Sequence, residues 1–307
     1  MIEEKIVIGE GTPFPLNGIL TLPDSPTHHI PAVVLVQGSG STNMDSKVKA
    51  LTPFKDIAAA LAQRGIATIR YDKRSFVHAR KMVKLGITVW DESIEDAIFA
   101  ADMLRADPRI GKIFIFGHSQ GGMLAPRIDA EGGDFDGLII AAGSTRMLRT
   151  ILKDQSDEML ERYRGPIRWL AGKQVDKIFE KFAQLDTMSL EESKGLKMMG
   201  GTTGYYFKDM EAHPPSNYLP QMTKPIFVFQ GEKDFQVKVD KDFEPFHELL
   251  ADNPQAKLKV YPGLNHVFTT SHQYGTLKDY KVAGHVDEGL MDEVAAWIHA
   301  VDEGSAS

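Results

Sequence analysis

Lys112-Ile113-Phe114-Ile115-Phe116-Gly117-His118-Ser119-Gln120-Gly121-Gly122-Met123-Leu124-Ala125 is the stretch on which the fold turns. Its first five residues form a short apolar run with the β-branched and aromatic content of a strand. Met123-Leu124-Ala125 opens a helical stretch. Between them Ser119 has a glycine two residues away on either side. That spacing suits a sharp strand-to-helix turn, because only a chain with room around it can make the turn and lift the hydroxyl off the sheet end. A five-residue pattern also arises by chance, so its weight depends on what surrounds it.

The surroundings alternate between strand and helix. Lys5–Ile8 and Gly18–Leu22 are expected to be antiparallel strands leading to a turn at Pro23-Asp24. Ala32–Val36 is a continuous β-branched run, as in a strand buried on both faces. Phe54–Arg64 has helical amphipathicity and stops at Gly65, with a strand at Ile66–Arg70. Asp91–Arg105 places Ile94, Ala97, Ile98, Ala101 and Leu104 on one stripe. Strands follow at Leu138–Ala142, Lys224–Gln230 and Leu258–Tyr261, and helices at Lys241–Leu250 and Val286–Val301. This order predicts an α/β protein with a mostly parallel central sheet and helices on both faces.

From Thr145 to Met222 the alternation lapses: helical patterns continue and no convincing strand occurs. We expect a core domain of residues 1–144 and 223–307, with residues 145–222 inserted as a helical cap. Seven of the 13 methionines fall in this insertion, among them Met159, Met199 and Met210. Methionine fills irregular gaps and suits adaptable surfaces, so these side chains either glue small helices to the sheet or wall a pocket.

Composition excludes several classes. At 307 residues the chain is long enough for one large domain or two ordinary ones. A net charge of −7 without a dense Lys/Arg run argues against nucleic-acid binding. The absence of cysteine excludes disulfides, thiolate metal sites and a cysteine nucleophile. The first residues are acidic and lack the apolar core of a signal peptide, and no apolar run approaches the roughly 20 residues of a membrane span. The expectation is a cytoplasmic protein without a membrane partner; a homo-oligomer stays open.

A serine hydroxyl is a poor nucleophile until a base takes its proton, and the base needs an orienting acid. Asp234 follows a strand through Gly231-Glu232-Lys233, 115 residues beyond Ser119. His266 follows the last strand through Pro262-Gly263-Leu264-Asn265, 32 residues further on. Strand-end turns bring such groups to one sheet edge. Glu232 and Asp240 are alternative acids. Among the other histidines, His118 is expected to pack beneath the turn, and His213, His272 and His285 to be ordinary loop or surface residues. The backbone N–H of Gln120, directly after the nucleophile, is one donor for the oxyanion of a tetrahedral intermediate. The Gly/Ser loop Gln37–Ser41 contains neither phosphate-loop pattern, and no H-E-x-x-H is present, so no cofactor and no metal are expected.

Taken together, the chain resembles the α/β-hydrolase superfamily, and within it bacterial serine carboxylesterases related to esterase D and the dienelactone-hydrolase-like enzymes. The residues that carry the resemblance are Gly117–Gly121, Leu35-Val36-Gln37-Gly38-Ser39-Gly40, Arg70-Tyr71-Asp72-Lys73-Arg74, Gln230–Val237 and Tyr261–His266. It implies an α/β-hydrolase fold, cofactor-free hydrolysis of small carboxylic esters, and a second oxyanion donor from the Gln37–Ser41 loop, Ser39 N–H rather than Gly40. Where many members have His-Gly, this chain has Gln37-Gly38, which leaves the backbone donor in place. The triad would be Ser119, Asp234 and His266. The same triad also serves thioesterases, peptidases and acyltransferases, and some proteins of this fold are non-catalytic small-molecule receptors. Asp72 and Arg74 are expected to pair with each other, and Tyr205, Tyr206 and Phe207 are candidate walls for an acyl or aryl group.

Overall fold

The computed structural model describes residues 1–24, 29–86, 88–271 and 277–304. Among these residues eight strands form one sheet: β1 (Ile2–Ile8), β2 (Leu16–Leu22), β3 (Ile30–Val36), β4 (Ala67–Tyr71), β5 (Ile110–His118), β6 (Gly137–Ala141), β7 (Ile226–Gly231) and β8 (Ala256–Tyr261). Their spatial order is β1-β2-β4-β3-β5-β6-β7-β8. β2 runs antiparallel to both β1 and β4; the pairs from β4 to β8 are all parallel. Every residue of β3, β6 and β7 is buried, which is why these segments are rich in Val, Ile, Leu and Phe and show no polar alternation.

Among the described residues eleven α-helices join them: α1 (Pro53–Gln63), α2 (Arg74–Val77), α3 (Ala79–Leu85), α4 (Glu95–Arg105), α5 (Gln120–Ile128), α6 (Leu148–Arg162), α7 (Gly165–Thr187), α8 (Leu190–Ser193), α9 (Gly204–Ala212), α10 (Pro245–Leu249) and α11 (Glu288–Asp302). The pleat sorts them into two layers. Val33, Leu35, Phe114, Phe116, Phe227 and Phe229 pack with Phe54 and Leu61 of α1 and with Leu290, Val294 and Trp297 of α11. The alternate residues Val34, Val36, Ile115, Ile140 and Val228 pack with α4, α5 and α10.

Between β6 and β7 the chain leaves the sheet and builds α6–α9 on the second layer, through Ile151, Phe182, Leu185, Tyr206, Phe207 and Met210. Buried polar groups fix this segment. Asp242, fully buried, accepts from Ser144 Oγ at 2.6 Å and from Arg146 Nε at 2.7 Å just before α6. Arg127 of α5 donates to Asp209 of α9 at 2.7 Å.

Asp72 and Arg74 do not pair, contrary to expectation. Arg74 turns to Asp96 and Glu95 at the start of α4, while Asp72 accepts the Met44 N–H at 2.8 Å. Both contacts are between segments distant in the chain.

Candidate active site

In a parallel sheet the loops beyond the carboxyl ends of the strands share one edge. Ser119 follows β5, Asp234 follows β7, His266 follows β8 and the Gln37–Ser41 loop follows β3. Ser119 sits at φ +56°, ψ −118°, a conformation that β-carbon sterics disfavour and that the close packing around the turn maintains. A β-carbon on Gly117 would lie 2.2 Å from the Gly121 carbonyl oxygen, and one on Gly121 2.3 Å from that of Val36. Both glycines are therefore steric necessities of the turn. Ser119 N–H donates to Ala141 O of β6 at 2.9 Å, which ties the turn to the next strand.

His266 Nδ1 donates to Asp234 Oδ2 at 2.6 Å. The Asp234 carboxylate, 2% exposed, also accepts from Gln230 Nε2 at 3.2 Å and from the Gln236 and Val237 amides at 2.8 and 3.0 Å. Four donors thus fix its plane, and the plane fixes the imidazole with Nδ1 occupied and Nε2 available. Asn265, fully buried, accepts from the Val267 and Thr269 amides and holds the His266 loop in shape. Glu232 bonds Gly263 N–H, and Asp240 is exposed; neither touches His266.

Ser119, His118, His266, Gly38 and Ser39 line one cleft of about 210 Å³. The Gln120 amide is in the first turn of α5, where backbone N–H groups have no intrahelical acceptor. Gly38 lies against the serine, a β-carbon there being 3.0 Å from Ser119 Cβ and 3.4 Å from its Oγ. The Ser39 amide follows directly. Gly40, at φ +86°, is further along in open space.

His118 lies under the turn. Its Nε2 donates to the His266 carbonyl oxygen at 2.8 Å, and its ring centroid is 4.8 Å from that of His266. Burial, with the His266 ring second, pushes this imidazole down to about 3. His213 bonds Tyr218 and the exposed His285 approaches Asp56; His272 lies outside the described residues.

A second cavity of about 410 Å³ opens beside the serine, bounded by Ser39, Gln120, Leu148, Leu152 and Met199. Tyr206 and Phe207 are in its wall. Tyr205 is not; its ring has Lys194 Nζ 5.1 Å from the centroid. Sequence reasoning missed two walls, Glu92 and the α6 residues Leu148 and Leu152. Tyr206 OH donates to Glu92 Oε2 at 2.8 Å and accepts from Gln120 Nε2 at 2.7 Å, so the cavity wall is hydrogen-bonded to the residue after the serine. Among the described residues no cluster of three or more His, Asp or Glu is placed to hold a metal ion, and no helix is long and apolar enough to cross a membrane.

The chain matches the family described as serine aminopeptidase, S33, over residues 48–272. It is similar to the esterase EstD of Thermotoga maritima, with 32% identity over 297 residues that cover 96% of this chain and 67% of that protein. Among solved structures it resembles Est1E from Butyrivibrio proteoclasticus, at 17% identity and a TM-score of 0.58, covering 95% of this chain and 99% of that one. It also resembles an esterase from Pyrococcus furiosus, at 16% identity and a TM-score of 0.60, covering 97% and 91%. At such identities the two structures speak for the fold alone.

Proposed function

The chain belongs to the serine aminopeptidase S33 family of hydrolases, and from that premise we propose that it hydrolyses small carboxylic esters through an acyl-enzyme on Ser119. Ser119 Oγ attacks the ester carbonyl carbon while His266 Nε2 takes its proton. The carbonyl oxygen becomes an oxyanion held by the Gln120 and Ser39 amides, and the leaving alkoxide takes the proton back from His266 as the carbonyl re-forms. Water then repeats the sequence on the acyl-enzyme and releases the acid. Asp234 holds the imidazole in the tautomer this requires. The 2.6 Å bond between His266 and Asp234, beside the serine in one cleft, carries the proposal.

We assign residues 145–222 as a cap over a core of residues 1–144 and 223–307, with Tyr206 and Phe207 facing the acyl or aryl part of the substrate. The likeness to EstD favours esters over amides, and we place the reaction in the cytoplasm. A fluorophosphonate is expected to label Ser119 stoichiometrically. Ser119→Ala should abolish turnover of p-nitrophenyl esters with the unfolding midpoint nearly unchanged. Unlabelled Ser119 points instead to a receptor, and faster cleavage of aminoacyl amides than of esters points to a peptidase.

A further inference from the structure

Lys73 is an unusual side chain for this fold to bury. It is 2% exposed, lies two residues beyond the end of β4, and lines neither of the two cavities described above. Its Nζ donates to the Gly38 carbonyl oxygen at 2.8 Å, and its nearest carboxylate is Glu92, with Oε2 at 3.5 Å. Lysine is almost never fully buried unless it is paired, so this contact is a specific arrangement with a desolvation cost.

The geometry points to Lys73 as a positioning residue for the oxyanion site, acting through the Gly38–Ser39 peptide. That peptide is trans, so its C=O and N–H point in opposite directions. An ammonium group that holds the Gly38 oxygen therefore holds the Ser39 N–H facing the other way, and Ser39 lines the same cleft as Ser119. A Gly/Ser loop has little stiffness of its own, since glycine leaves the peptide free to flip. A flipped peptide would present a carbonyl oxygen to the developing negative charge. The same ammonium group reaches the second donor by a different route. Glu92 Oε2 faces Lys73 and accepts from Tyr206 OH, which accepts from Gln120 Nε2. Lys73, Glu92, Tyr206 and Gln120 thus form one buried chain that runs from the ammonium group on the Gly38–Ser39 peptide to the side chain of Gln120, with a residue of the inserted helices within it.

The inference rests on the proposed ester hydrolysis. Labelling of the wild-type protein by the fluorophosphonate is measured first; its failure sinks that function, an outcome separate from the kinetic results that decide the role of Lys73. The test is then the double variant Lys73→Met/Glu92→Gln, which removes both charges together and leaves neither buried alone. We expect kcat to fall about 10- to 100-fold, less than the full loss of an oxyanion donor, with KM within about threefold. The inhibition constant of a trifluoromethyl ketone analogue, which forms a tetrahedral adduct on the serine, should rise in parallel with the fall in kcat/KM. A folded double variant with kcat within twofold overturns the inference, as does a loss confined to KM with inhibition by the ketone unchanged. If the double variant does not fold, the wild-type protein decides by amide NMR. Adduct formation should move the Ser39 proton downfield, and a shift at Gly40 with Ser39 unmoved overturns the assignment.

Discussion

At the scale of single residues, the site combines side chains held by many bonds with one imidazole held away from protons. The His118 ring is pushed down to about 3, against about 6.5 in an unfolded chain. Between those values the unfolded chain binds the proton and the folded chain does not, so acid favours unfolding. The stability contribution is complete above about pH 6.5 and declines as the pH falls towards 3; at pH 5 the loss is about 2 kcal/mol. Asparagine at 118 can keep a donor near the His266 carbonyl without titrating. His118→Asn should therefore lose about 2 kcal/mol less unfolding free energy than the parent between pH 7.5 and pH 5. Equal losses in denaturant titrations at the two pH values would contradict this. The sequence showed Ser119, Asp234 and His266 because each lies in a turn after a recognisable strand. It did not show Lys73, Glu92, Tyr206 and Gln120 as a connected set, because these partners lie far apart in the chain and only the fold brings them together. The expected pair of Asp72 with Arg74 erred for the same reason: nearness in sequence stood in for nearness in space, and Arg74 found Asp96.

At the scale of elements, the strands were legible to within three residues of their ends, since β-branched and aromatic runs are local signals. Three wide helical turns, at Trp90–Ile94, Asp129–Gly133 and Val239–Phe243, were not, because one residue of extra winding leaves no mark in a 3.6-residue pattern. The glycines of the serine turn make a sharper test. Alanine at Gly121 would put a methyl 2.3 Å from Val36 O and 2.8 Å from Gln37 O, and neither backbone atom can yield without moving β3. Gly121→Ala should cost about 3 kcal/mol or more, or prevent folding. Gly172 is the opposite case. It lies inside α7, and a β-carbon there meets nothing within 4 Å. Gly172→Ala should gain about 0.5–1 kcal/mol by helix propensity alone. Thermal midpoints that moved the same way for both variants would refute the contrast.

At the scale of the whole molecule, the helices after β6 stay attached to the sheet through a few buried charges as well as apolar contacts. Asp242 is the densest of these points, with bonds from Ser144, Arg146 and the Lys238 amide. Asp242→Ala leaves the part-buried Arg146 with Asp154 as its carboxylate partner among the described residues. It should cost about 3 kcal/mol and speed hydrogen exchange through α6. A cost below about 0.5 kcal/mol with unchanged exchange would show that apolar packing alone holds the segment. Chain order has a further effect during synthesis. Strands β6 and β7 are neighbours in the sheet, yet 84 residues separate Ala141 from Ile226. At about 5–20 residues per second, the ribosome needs roughly 4–17 s to deliver the missing strand. Throughout that interval the nascent sheet ends at β6, a bare apolar border with unpaired peptide groups, which makes this the moment of greatest exposure to chaperone capture or misassembly.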